Sequence, residues 1–92
     1  MTPNELKAAR ERIELKQLEF ACLFNTTQQR ISEWERGKRR VSPYVAKAIT
    51  FFLDLPEEKQ HDAKKKARAQ ARTLKKRYNK ARHERTQRQQ QQ

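Results

Sequence analysis

The apolar positions fall into a series of short stretches at helical spacing, each opened by a capping residue. Thr2-Pro3-Asn4-Glu5 reads as a helix start. Thr2 can cap, Pro3 suits the first helical position, and Glu5 lies where a capping box needs a carboxylate. Leu6, Ala9 and Ile13 follow, and the spacing predicts a helix from Pro3 to Ile13 or Glu14. Leu18, Ala21 and Phe24, with Phe20 and Leu23 beside them, predict a second helix over about 17–24. Asn25 suits a tight turn because Asn tolerates the left-handed conformation. Thr26 and Thr27 can cap a third helix with Ile31 and Trp34 as its buried side, and Gly37 is placed to end it. Ser42-Pro43 opens a fourth, with Val45, Ala48, Ile49, Phe52 and Leu53 as its apolar stripe. Leu55-Pro56 closes the compact part. There is no alternating β-branched run and no hairpin dipeptide.

From Glu57 the pattern changes. Ala63, Ala67, Ala71, Leu74, Tyr78 and Ala81 recur every three or four residues, forming a seam that is mostly alanine. Ala, Lys, Arg and Gln favour helix, so the expectation is a long, basic, weakly amphipathic helix. The chain then divides into a domain over 1–56, a basic helical arm over 57–86 and a disordered Gln-rich tail over 87–92. Charge sharpens this division. Of the net +12, residues 1–60 carry +2 and residues 61–92 carry +10. Such asymmetry points to a polyanion.

Other chemistries find little support. Cys22 is the only cysteine, so no internal disulfide can form and a zinc site would be atypical. It is expected to be inert. His61 and His83 lie in the arm and suggest no metal site. No cofactor is expected. No apolar run could span a bilayer and no signal-peptide core follows Met1, so the expectation is a cytoplasmic protein without a membrane partner. No nucleophile–base set and no phosphate-cradling glycine loop suggests an enzyme; Gly37 is the one glycine.

Residues 17–36 form one unit: a helix, a sharp turn at Asn25 and a second helix. Ala21 allows a close crossing, and Phe20, Phe24, Ile31 and Trp34 form the joint. That is a helix-turn-helix layout. "QLEFACLFNTTQQRISEWERGKR" resembles the Cro/repressor-type (XRE) helix-turn-helix regulators of phages and bacteria. The run Ile31 to Gly37 is similar to that family's common signature, and "TTQQ" is similar to the lambdoid phage repressors. The resemblance covers about Pro3 to Leu55. It implies an all-α, compact four- to five-helix lambda-repressor-like domain, here followed by the basic helical arm. Two positions depart from the family pattern: Asn25 where glycine is usual, and Lys16 where Thr or Asn often caps. Neither alters the fold expected.

In the family the outer face of the second helix of the motif enters the major groove. The resemblance therefore implies base reading by Thr27, Gln28, Gln29, Ser32 and Glu33. Gln can bond an adenine edge through N6 and N7, and a threonine methyl can meet a thymine methyl. Glu33 has two readings: acceptance from a cytosine N4, or helical salt pairing with Arg30 or Arg36. Gln17 by resemblance reaches a phosphate at the start of its helix. Arg36, Lys38, Arg39 and Arg40 are expected to flank the groove as phosphate contacts, which position without specifying. Arg10 and Glu35 match a family ion pair and are read as structural, with Trp34 as core.

Three readings of the arm stand. Lys64, Lys65, Lys66, Arg68 and Arg72 can follow the DNA backbone, adding salt-dependent affinity. The alanine seam can pair with a second subunit, against the repulsion of two +10 arms. Or the arm can bind RNA, folding on contact. The favoured whole is a transcriptional regulator, a repressor of a phage, plasmid or mobile-element operon, including those accompanying anti-CRISPR genes. It would act at the nucleoid, binding a palindromic operator in double-stranded DNA as a homodimer. The alternatives are a nucleoid-like or RNA-binding architectural protein, and an antitoxin whose arm wraps a protein partner.

Overall fold

The computed structural model describes residues 1–90, with side chains through Lys80. Residues 91 and 92 and the side chains of 81–90 lie outside that description, and with them the expectations for Ala81 and His83 and the end of the Gln-rich tail; the backbone of 87–90, expected as disordered tail, continues the last helix. Five helices follow in order: α1 (Pro3–Ile13), α2 (Gln17–Leu23), α3 (Gln28–Glu35), α4 (Pro43–Leu53) and α5 (Glu57–Gln90). There is no strand among the described residues.

Local chemistry accounts for most boundaries. Thr2 Oγ1 accepts the Glu5 N–H at 3.1 Å, and the Glu5 carboxylate accepts the Thr2 N–H at 3.3 Å, a complete capping box. α1 ends at Glu14 in the left-handed region, φ 63°, with the Glu14 and Leu15 N–H groups turned back onto Glu11 and Arg10 carbonyls. Lys16 caps α2 only in part. Glu19 accepts its N–H at 2.9 Å, but an ammonium has no lone pair to offer in return. Ser42 occupies the position before α4 yet makes no side-chain cap bond; Pro43 supplies the start instead. Gly37, at φ 73°, ends α3, where Lys38 N–H reaches the Glu33 carbonyl at 2.9 Å. A side chain there would find ordinary room, so it is the backbone angle that favours glycine.

Leu6, Phe20, Ile31 and Ile49 are the fully buried centre, with Ala9, Ile13, Ala21, Trp34 and Phe52 around them. Leu15, in the α1–α2 link, is also buried, which periodicity within helices could not reveal. Phe24 bridges Phe20 and Phe52 through edge-on ring contacts at 4.7 and 5.9 Å. The α4 stripe needs one correction: Ala48 is exposed, and Val45, Ile49, Phe52 and Leu53 are the residues that turn inward. Arg10 ties three segments together. Its Nε and Nη2 donate to the Glu35 carboxylate, both at 2.9 Å, and its Nη1 donates to the Leu15 carbonyl at 3.1 Å. The hydrogen bond to Glu35, against desolvation by burial and with the charges of Glu35 and Glu11, holds the guanidinium pKa above its ordinary value.

α5 does not leave the domain at Pro56. Gln60 closes the end of α4 by donating to the Leu53 and Leu55 carbonyls at 3.3 and 2.9 Å. The helix then runs back along α2, burying Ala67 and Ala71, with Ala63 and Leu74 partly covered. At ~1.5 Å per residue, its 34 residues make ~51 Å, and the helix accounts for the 54 Å long axis of the molecule.

Candidate nucleic-acid interface

The α2–α3 corner is built on Asn25. It takes φ 54°, and Thr26 N–H closes the turn on the Ala21 carbonyl at 2.9 Å. Thr27, not Thr26, is the cap: its Oγ1 accepts the Arg30 N–H at 3.2 Å. The cap leaves the Thr27 methyl as the group free to meet an apolar partner. With Ile31 and Trp34 buried and Glu35 fixed by Arg10, the helix has one orientation. Thr27, Gln28 and Gln29 are exposed on its first turn. Ser32 and Glu33 are partly buried one turn on.

Glu33 is already occupied. It pairs with Arg39 Nε at 3.2 Å and accepts from Gln29 Nε2 at 3.4 Å. In place of the helical pairing with Arg30 or Arg36, one of its two readings, Glu33 pairs across the turn. The Gly37 turn swings the chain back, which puts Arg39 rather than Arg36 over the carboxylate. Arg36 folds onto its own helix, Nε donating to the Ser32 carbonyl at 3.3 Å. Lys38 and Arg40 are exposed beside it.

The arm approaches this surface from the side of α2. One cleft is lined by Lys16, Gln17, Leu18, Glu19 and Gln28, and across from them by Arg68, Ala71, Arg72, Lys75 and Tyr78. A neighbouring cleft joins Leu74 and Tyr78 to Thr26, Thr27, Gln28 and Gln29. So Gln17, Gln28 and Arg72, far apart in sequence, meet in one place. Lys16, Lys75 and Tyr78 join them, and sequence reasoning passed these over. Arg68, Arg72 and Lys75 do fall at steps of four and three on one helix face, a signal available once the arm is known to dock.

Not all the arm's cations face outward. Lys64 Nζ donates to the Ile13 carbonyl at 3.2 Å, and Arg68 Nη2 to the Glu14 carbonyl at 3.5 Å. Both were expected as phosphate contacts. Docking of Ala67 and Ala71 instead sets them over the C-terminal end of α1, whose unpaired carbonyls attract cations. Lys65, Lys66 and Arg72 are exposed. Cys22 is partly buried between the α2 and α5 surfaces, and burial, with Glu19 nearby, raises its thiol pKa. Among the described residues no cluster of His, Cys, Asp or Glu could hold a metal ion, and no helix is long and apolar enough to cross a membrane.

A capped helix with an exposed polar first turn, set on a second helix across a sharp corner and flanked by cations, defines a DNA-binding helix-turn-helix protein. The model of the family described as "Helix-turn-helix" matches residues 6–60. The chain belongs to that family, the Cro/C1-like, XRE-type DNA-binding transcriptional regulators. Comparison with curated proteins and with solved structures gives no match.

Proposed function

We propose that the protein is a sequence-specific repressor of a phage, plasmid or mobile-element operon, acting at the nucleoid. It binds a two-fold symmetric operator as a homodimer, with α3 in the major groove. The observation that carries this reading is the uncharged, exposed pair Gln28 and Gln29 on a helix held in one orientation from behind. Amides at that place suit adenine edges, and Thr27 offers a methyl to thymine. Gln17, Lys38, Arg40, Arg72 and Lys75 flank the reading face and contact phosphates. Glu33 and Arg39 act as a pair: the carboxylate orients Arg39 until a phosphate competes for it.

Selection from a random duplex library at ~150 mM salt, where loose electrostatic binding is screened, tests the reading. The expected outcome is an enriched palindrome, lost when Gln28 and Gln29 are both alanine. Firm binding with no enrichment would overturn it in favour of an architectural or RNA-binding role led by the arm.

A further inference from the structure

We infer that the outer face of α4, carrying Tyr44, Ala48 and Phe51, is where two copies of this chain associate. The three residues recur at steps of four and three, so they form one stripe on the helix. Tyr44 is 85% and Phe51 69% exposed, the two most exposed large apolar side chains among the described residues. The core-facing stripe of the same helix is separate: Ile49 and Phe52 are buried. A helix apolar on two faces has a second partner to cover. Phe51 also borders a groove between α4 and the start of α1, floored by Met1, Ala46 and Thr50 and edged by Glu5, Lys47 and Asp54.

Three observations make the partner a second copy. First, residues 41–56 hold one cation, Lys47, and one anion, Asp54. The α4 stretch is thus neutral, whereas two +10 arms repel each other. Second, the face is self-complementary. Lys47 and Asp54 lie two turns apart on the same flank, with Phe51 near the midpoint. If two α4 helices cross antiparallel about a two-fold axis there, each Lys47 meets the Asp54 of the second copy. Each Phe51 meets the second copy's groove. Third, the alanine seam of α5 is not available for subunit pairing, because Ala67 and Ala71 are buried in their own chain. The inference rests on the two-fold operator proposed above and supplies its protein half.

The test is sedimentation equilibrium of the full chain without DNA, up to about 200 µM, where a micromolar dimer is populated. The wild-type chain is expected to be dimeric and Phe51→Asp monomeric with the same helical content, because Phe51 is exposed within one chain. Lys47→Asp and Asp54→Lys should each weaken association roughly tenfold, and the double swap should restore it. A monomeric wild type, a dimeric Phe51→Asp, or a double swap without rescue would overturn the inference. Affinity of Phe51→Asp for a single half-site reads the DNA proposal separately: it stays at the wild-type value if α3 alone reads bases.

Discussion

α3 and α5 both face the same cleft, but they are held and charged in opposite ways. α3 presents uncharged amides, and behind them stand two buried residues and an ion pair: Ile31, Trp34 and Arg10–Glu35. α5 presents cations, Arg72 and Lys75 in the cleft and Lys65 and Lys66 elsewhere on its exposed surface, and behind them stand mainly two alanines. The difference follows from what each contact needs. A bidentate hydrogen bond to a base edge tolerates little displacement. A cation near a phosphate gains from counterion release over a range of positions. A deep anchor therefore belongs under α3, and a shallow one is enough under α5.

The largest effect should come from the α3 anchor. Arg10→Ala would leave the Glu35 carboxylate, 5% exposed, without its partner. It would also remove the bond to the Leu15 carbonyl. The expected loss is ~3–5 kcal/mol in urea denaturation. A loss under ~1 kcal/mol, no more than an exposed pair gives, would erase the contrast between the two anchors.

The α5 anchor should be weaker and separable. Ala67→Glu forces a long charged side chain into a site 3% exposed, at a cost of ~1–3 kcal/mol for overpacking. Amide exchange should then speed up along residues 60–75 while α1 and α3 stay protected, since Ala67 and Ala71 are the buried residues of α5 among those described. Uniform loss of protection would mean that α5 and the domain unfold as one unit.

The core domain is legible in the sequence because most boundaries there have their own local chemistry. Thr2, Asn25, Thr27 and Gly37 each act where their type predicts. Ile31, Trp34, Leu6 and Phe20 mark the buried faces by period alone. What was hidden depends on tertiary contact. An alanine seam reads the same whether it meets a second subunit or the chain's own α2, so the docking of α5 was not decidable from spacing. The fates of Lys64 and Arg68 followed from that. Of the two readings of Glu33, helical pairing at i±3 stops at Gly37 and does not reach Arg39, the cation that pairs with it. The second apolar face of α4 is hidden because an alanine such as Ala48 fits the core stripe by period as well as the outer face it occupies.

The finest test concerns the charges of α5 alone. Removing the whole arm would confound electrostatics with packing, since Ala67 and Ala71 would leave with it. Lys65, Lys66, Arg72 and Lys75 are all exposed, so changing the four to Gln keeps helix propensity and leaves the alanine contact intact. Each cation that neutralises a phosphate contributes ~0.9 to the slope of log affinity against log salt. The quadruple variant should therefore flatten that slope by up to ~3.6. Its preference for the selected operator over random duplex should stay unchanged, because phosphate contacts carry no base identity. Changing Lys64 and Arg68 to Gln should instead leave the slope nearly as it was and lower the melting temperature slightly, because their donors face the Ile13 and Glu14 carbonyls. An unchanged slope in the quadruple variant would remove α5 from the DNA surface. A slope that falls with Lys64 and Arg68 but not with the four would mean that the arm leaves α1 when DNA binds.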